Sequence, residues 1–244
     1  MNKTHIAADK PSIFLVGGTG AGKTELALNL SVYYSNLFGS SNLIDLDIVN
    51  PYFRVRQFVD DISQKNVKVI CPEARVRFGD VPALPSAAWG ALEGHEESVI
   101  CDVGGGEPGL RLLGRLKEIA DKRRSSVYFV LNPFRPDYVD VKHIEAEFRH
   151  TCELCKLDVT EIIANPNLSD HTTAADFERG LDIVRDLSEI TKIPIGFCVA
   201  PEKAAKELGV CVGALPGFSE YKGLKMFVIE RYWSVPWHFG TVSA

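Results

Sequence analysis

The chain has 244 residues, with 27 lysines and arginines against 32 aspartates and glutamates, for a formal net charge of -5. That length suffices for one large α/β domain with a full core, and residues 1–244 are read as a single domain. The acidic balance weighs against nonspecific binding to nucleic acid or to anionic lipid, and no stretch reaches the roughly 18 apolar residues of a membrane span. Met1-Asn2-Lys3-Thr4-His5 leads into no apolar leader segment, so a cytoplasmic protein with reduced thiols at its six cysteines is expected.

In chain order, Ile13-Phe14-Leu15-Val16 is an apolar run without in/out alternation, the pattern of a strand buried on both faces. It runs into Gly17-Gly18-Thr19-Gly20-Ala21-Gly22-Lys23-Thr24 and then Glu25-Leu26-Ala27-Leu28, which opens a helix. The spacing is G-x-x-x-x-G-K-[S/T], that of a P-loop. Glycines let successive N–H groups turn inward around an anion, and the helix adds its positive end. Lys23 supplies an ammonium for the outer phosphates, and the Thr24 hydroxyl suits the magnesium that travels with them. A plain glycine-rich turn is the bland alternative, and the match in both pattern and flanks weighs against it. A dinucleotide fingerprint fits worse, because Lys23 occupies the place of its third glycine.

The next run, Leu43 to Leu46, ends at Asp47, beside the cradle, where a carboxylate can orient an attacking water or reach the metal through water. Asp45 is read as facing the strand's opposite aspect. Arg54 and Arg56 follow, and can offset phosphoryl charge, although a solvated basic turn is the favoured reading of each. Residues 71–96 carry Pro72, Pro82 and Pro85 around a short strand at Arg75-Val76-Arg77 and suggest an excursion or lid. Ser98 to Cys101 then leads to Asp102 and Gly104-Gly105-Gly106: a carboxylate for a magnesium-bound water, followed by small residues that allow backbone to approach a γ-phosphate. Glu107 either helps to order water or is a helix N-terminal acid.

Further apolar runs at Val127–Leu131, Ile162–Ala164 and Ile195–Val199 alternate with helical periodicity at Leu110, Leu113, Leu116, Ile119 and Ala120 and at Phe177, Leu181, Val184, Leu187 and Ile190. Thr172-Thr173-Ala174-Ala175-Asp176 is a candidate cap for the second helix. The alternation predicts an α/β fold, a mainly parallel sheet flanked by helices on both faces, with ligands beyond the strands' carboxyl ends. There Asn165 offers a donor and an acceptor to match an adenine edge, while Asn165-Pro166-Asn167-Leu168 lacks the carboxylate that reads guanine in Asn-Lys-x-Asp, so ATP is expected over GTP. Pro201 and Glu202 are expected to border the same base. Val141, Ile144, Phe148, Cys152 and Cys155 recur at helical spacing, which favours a core stripe over a metal site for the two thiols. Residues 211–244 form a C-terminal extension whose aromatic end is expected to cover the core.

Gly17 to Thr24, Asp47, Asp102, Asn165 and the loop from Pro201 together resemble the nucleotide-binding domain shared by MinD and ParA ATPases, nitrogenase iron protein and the CobQ/CobB amide ligases, over about residues 12–205. The resemblance implies that Gly17 through Glu25, Asn165, Pro201 and Glu202 bind ATP, that Thr24, Asp47 and Asp102 hold magnesium, and that Lys23, Asp47 and Asp102 act in slow hydrolysis. A nucleotide-dependent homodimer is the class expectation, with a protein client or a small-molecule substrate. The second lysine usual in MinD and ParA loops is here Gly18, and MinD's basic amphipathic tail has no counterpart in Val235 to Ala244. An ATP-dependent ligase or kinase and a nonhydrolytic binding module are the alternatives.

Overall fold

The computed structural model describes residues 10–46, 62–71 and 84–232. Asp47, Arg54, Arg56, the Arg75-Val76-Arg77 segment and the residues from Trp233 onward lie outside them. The described strands are β1 (Ser12–Val16), β2 (Ser41–Leu46), β3 (Val67–Ile70), β4 (Ser98–Val103), β5 (Ser126–Leu131), β6 (Glu161–Ala164), β7 (Ile195–Pro201), β8 (Gly217–Tyr221) and β9 (Leu224–Ile229). They form one sheet in the order β3-β2-β4-β1-β5-β6-β7-β9-β8, parallel except for the edge strand β8.

The unbroken apolar runs are explained by the way alternate residues divide between two cores. Phe14 and Val16 of β1 join Cys101 and Phe129 on one face, while Ile13 and Leu15 join Ile100, Val130 and Ile163 on the other. The second face is covered by α1 (Lys23–Phe38) through Leu26 and Leu30. The first is covered by α2 (Ser86–Glu93), α3 (Glu107–Leu113), α4 (Lys117–Lys122), α5 (Val141–Cys155) and α6 (Ala174–Thr191). Each fully buried Phe, Leu or Ile removed from water stabilises the fold by about 1.5–3 kcal/mol, so a strand sandwiched between helices has no use for polar alternation. Helix α6 starts where the sequence predicts: Thr173 accepts from the Asp176 N–H, and Asp176 reciprocates in a capping box.

The C-terminal extension carries two strands that the sequence reading did not single out. It contributes β8 and β9, joined through Lys222 (φ 48°) and Gly223 (φ 79°), left-handed conformations that suit the twist of a tight hairpin. Strand β9 then lies parallel beside β7, with Cys198 opposite Met226 and Pro201 opposite Ile229. Phe227 is buried against Tyr33 and Phe218, with ring centroids 5.6 and 4.6 Å away. Among the described residues no helix is long and apolar enough to cross a membrane.

A buried amide fastens this hairpin to α1. Asn29 donates to the carbonyls of Glu25 and Glu230, both at 2.9 Å, and accepts from the Glu230 N–H at 2.8 Å. One turn earlier, Glu25 Oε1 accepts from the Tyr232 N–H at 2.7 Å. Removing Asn29 strips partners from the part-buried main-chain groups of Glu25 and Glu230. Asn29→Ala is therefore expected to lower stability by about 2–4 kcal/mol, read from the urea midpoint at unchanged slope; a loss below about 0.5 kcal/mol would show that the pin is redundant.

Candidate functional site

The chain leaves β1 and turns through Gly17 (φ 132°), Gly20 (φ 76°) and Gly22 (φ 90°), conformations closed to ordinary L-residues. Space is as tight as geometry. A Cβ on Gly17 would lie 2.4 Å from the Val130 carbonyl oxygen of β5, and one on Gly22 would lie 2.3 Å from Asn165 Nδ2. Helix α1 opens directly from this loop with no side-chain cap, so its leading N–H groups are left for another acceptor.

Lys23 is only 5% exposed, and its ammonium donates to the carbonyls of Gly17 and Gly18, both at 2.8 Å. Thr24 Oγ1 donates to Asp102 Oδ2 at 2.7 Å, joining the first turn of α1 to the end of β4. Asp102 is 2% exposed. The loop after β4 closes on the cradle as the glycine triplet predicts: a Cβ on Gly105 would lie 2.7 Å from the Thr19 nitrogen. A hydroxyl and a carboxylate side by side are hard oxygen donors, and magnesium takes few protein ligands and fills its shell with phosphate and water, so the pair fits that ion.

Asp45 is not turned away. Residues two apart on a strand share a face, and the β2–β4 register sets Asp45 opposite Asp102, both of them buried. Sequence reading had named this second carboxylate but set it on the strand's opposite aspect, whereas the register places it beside Asp102. Asn165 is also buried; its Nδ2 donates to the Ala21 carbonyl at 2.7 Å, so its amide is engaged in bracing the cradle. Glu107, first residue of α3, is exposed and pairs with Arg111 at 3.0 Å and His150 at 3.7 Å.

A cavity of about 500 Å³ runs from Gly20, Lys23 and Thr24 to Asn167, Ser169, Pro201 and Arg231. At its far end the Arg231 guanidinium donates to Ser169 Oγ at 2.6 Å. Glu25 also borders this cavity. Glu202, the first residue of α7 (Glu202–Glu207), lines a neighbouring cavity of about 220 Å³ and pairs with Lys206 at 2.5 Å. Asn132, at the end of β5, clamps two loops together: it donates to the Asn167 carbonyl at 2.9 Å and accepts from the N–H groups of Phe134 and Asn167. Arg135 follows, over Gly20, a position sequence reading did not single out; its signal is an arginine between Pro133 and Pro136 just past a strand end.

Cys155 is buried, with its thiol donating to the Leu157 carbonyl at 3.4 Å, while burial pushes the half-buried Cys152 thiol up to about 11. Neither is a thiolate at neutral pH, and among the described residues no three His, Cys, Asp or Glu side chains cluster to hold a metal.

No family model and no curated protein matches the chain. Solved structures do. It is similar to chloroplast FtsY from Physcomitrella patens (18% identity, 79% of this chain and 59% of that one, TM-score 0.55). It is also similar to FtsY from Mycoplasma mycoides (17%, 78% and 61%, 0.51) and to the signal recognition particle receptor FtsY from Elizabethkingia anophelis in complex with GDP (20%, 80% and 59%, 0.50). The chain spans about three fifths of the length of these structures. The fold is that of the P-loop nucleoside triphosphatases, a mostly parallel sheet flanked by helices.

These findings correct the expected nucleotide, partner and kinship. The fold matches FtsY structures, one of them a signal recognition particle receptor in complex with GDP, in place of the particular likeness to MinD and ParA. ATP as ligand, ATPase as activity and an ATP/ADP-dependent homodimer fall with that likeness. Asn165 Nδ2 gives one of its two hydrogens to the Ala21 carbonyl. Gly18, where MinD and ParA loops carry a second lysine, faces the ends of two side chains, with Glu147 Oε1 2.1 Å and the Tyr138 hydroxyl 3.1 Å from where its Cβ would lie.

Two glycines separate strain from crowding. Gly17→Ala forces positive φ and drives a methyl into backbone that cannot yield, and is expected to cost about 2–4 kcal/mol. Gly39 has φ 89° but nothing within 4 Å of its virtual Cβ. Gly39→Ala should cost about 1 kcal/mol; equal losses in thermal denaturation would remove crowding as the reason for glycine at position 17.

Proposed function

We propose that this chain is a magnesium-dependent guanine nucleotide-binding protein that hydrolyses the triphosphate and uses the bound state as a switch for a protein partner. The observation that carries the reading is the 2.7 Å bond between Thr24 and Asp102 beneath a glycine loop and a helix N-terminus. Loop amides and the α1 terminus bind polyphosphate, and Lys23 adds a full charge held at the loop by the Gly17 and Gly18 carbonyls. Thr24 and Asp102 hold magnesium, directly or through water, and the ion when bound neutralises phosphate charge. Asp47, on the sequence grounds given above, orients the attacking water. Gly105, packed against Thr19, lets the loop after β4 respond to a terminal phosphate, which is how occupancy reaches a partner surface.

Guanine is supported by the likeness to an FtsY structure that contains GDP and by the chemistry of the cavity's far end. Arg231 is a donor only; guanine presents the acceptors O6 and N7 where adenine presents a donor at N6. The partner is read as another protein because one of the matched structures is named as a receptor.

Fluorescent nucleotide titrations test the reading. Wild type should bind GDP and GTP more tightly than ADP and ATP, and Lys23→Ala should weaken binding by about 100-fold or more with unchanged thermal melting. Unchanged affinity in that variant contradicts the site. Arg231→Ala should reduce the guanine preference by about 10–100-fold while leaving adenine nucleotide affinity unaltered, the scale of a bidentate base contact; an undiminished preference removes Arg231 from base recognition.

A further inference from the structure

Arg135 stands on the loop from β5 to α5. Its guanidinium covers the crest of the cradle: a Cβ on Gly20 would lie 2.2 Å from Nη1 and 2.8 Å from Cζ. It borders the cavity of about 500 Å³ and also a second one of about 450 Å³ on the other side of the loop, beside Gly18, Thr19 and Gly105. Among the described residues it is the one shared by both.

The group is held by its surroundings. The Arg135 N–H donates to the Asn132 carbonyl at 3.4 Å, and the Tyr138 N–H donates to the Arg135 carbonyl at 3.0 Å. Phe134 is seated where a Cβ on Gly180 would come within 2.9 Å of its ring, with the Arg179 guanidinium 5.2 Å over that ring. Prolines on both sides of Phe134-Arg135 restrict the backbone further. Only the tip of Arg135 has freedom.

Charge explains what that tip is for. The loop gathers inward N–H groups, a helix N-terminus and the Lys23 ammonium, with the Glu147 carboxylate against Gly18 on its other side, and a bound polyphosphate would bring several further negative charges within reach of the guanidinium. Its ion-pair partner within the protein is a weak competitor. Asp137 lies 3.6 Å from Arg135 and is 79% exposed, and such a pair is worth about 0–1 kcal/mol. A polyphosphate, gripped by two parallel N–H groups in a drier site, outbids it.

We propose that Arg135 is a catalytic arginine supplied in cis, contacting the terminal phosphates and stabilising charge as the γ-phosphoryl group transfers to water; this rests on the nucleotide-hydrolysing function proposed above. The water oxygen bonds to the γ-phosphorus as the bond from that phosphorus to the β–γ bridging oxygen breaks. The bridging oxygen leaves with the electron pair on GDP, and the water's protons pass to inorganic phosphate and solvent. Arg135 stays protonated throughout and exchanges no proton. No arginine from a partner is then required.

Aluminium fluoride with GDP and magnesium mimics the transferring group, and its capture reports on a transition-state contact apart from turnover. Wild type alone should capture it. Arg135→Ala should bind GDP within about threefold of wild type, fail to capture aluminium fluoride, and lose on the order of 1,000-fold in single-turnover hydrolysis, the scale of an arginine finger. Arg135→Lys, which keeps charge but not the fork, should recover only part of this. Thermal melting controls for folding in both variants. Equal loss of GDP affinity and capture would make Arg135 a ground-state clamp and overturn the proposal. So would unaltered capture and turnover, or a wild type that binds GDP tightly yet captures no aluminium fluoride without a partner. A wild type that binds no nucleotide overturns the proposed function as well, and is distinguished by that result.

Discussion

The bond between the Thr24 hydroxyl and the Asp102 carboxylate is the contact on which the rest of the site depends. It joins residues 78 positions apart, and it exists because β1 and β4 are parallel neighbours with Leu15 opposite Asp102. Shifting that register by one residue would send Asp102 to the other face of the sheet, away from α1. The two cores flanking β1 fix the register, since each alternate side chain has one apolar layer to enter. Hydrophobic burial thus sets the position of a polar pair to a fraction of an ångström.

The same parallel order concentrates positive potential at one edge. Strand ends, glycine turns and the start of α1 converge there, and the buried Lys23 ammonium is tolerated because the Gly17 and Gly18 carbonyls replace part of its hydration. Asn165 and Asn132 brace the surrounding loops with amides instead of charges. Neutral braces leave the charged groups to the ligand.

Much of this was legible in the sequence. The cradle has a pattern set by the geometry of phosphate binding, and strands buried on both faces announce themselves as apolar runs, so β1, β2, β4, β5, β6 and β7 lie where composition suggests. Strands β8 and β9 were not read, because Gly217 to Ile229 mixes exposed and buried positions across a turn whose only marker is Lys222-Gly223. The site's polar details were harder still. Which partner takes an amide such as Asn165 is a three-dimensional fact, and a base edge and a loop carbonyl are equally plausible to a one-dimensional reading. Arg135 was invisible for a related reason: its meaning comes from Gly20, more than a hundred residues earlier in the chain.

The place of β9 in the sheet bears on biosynthesis. This strand lies between β7 and β8 and carries the chain onward to Arg231 at the rim of the cavity, while Asn29 ties its end to the first helix. A nascent polypeptide emerging from the ribosome therefore presents the glycine loop early but cannot enclose the pocket until the segment around residue 230 has been made.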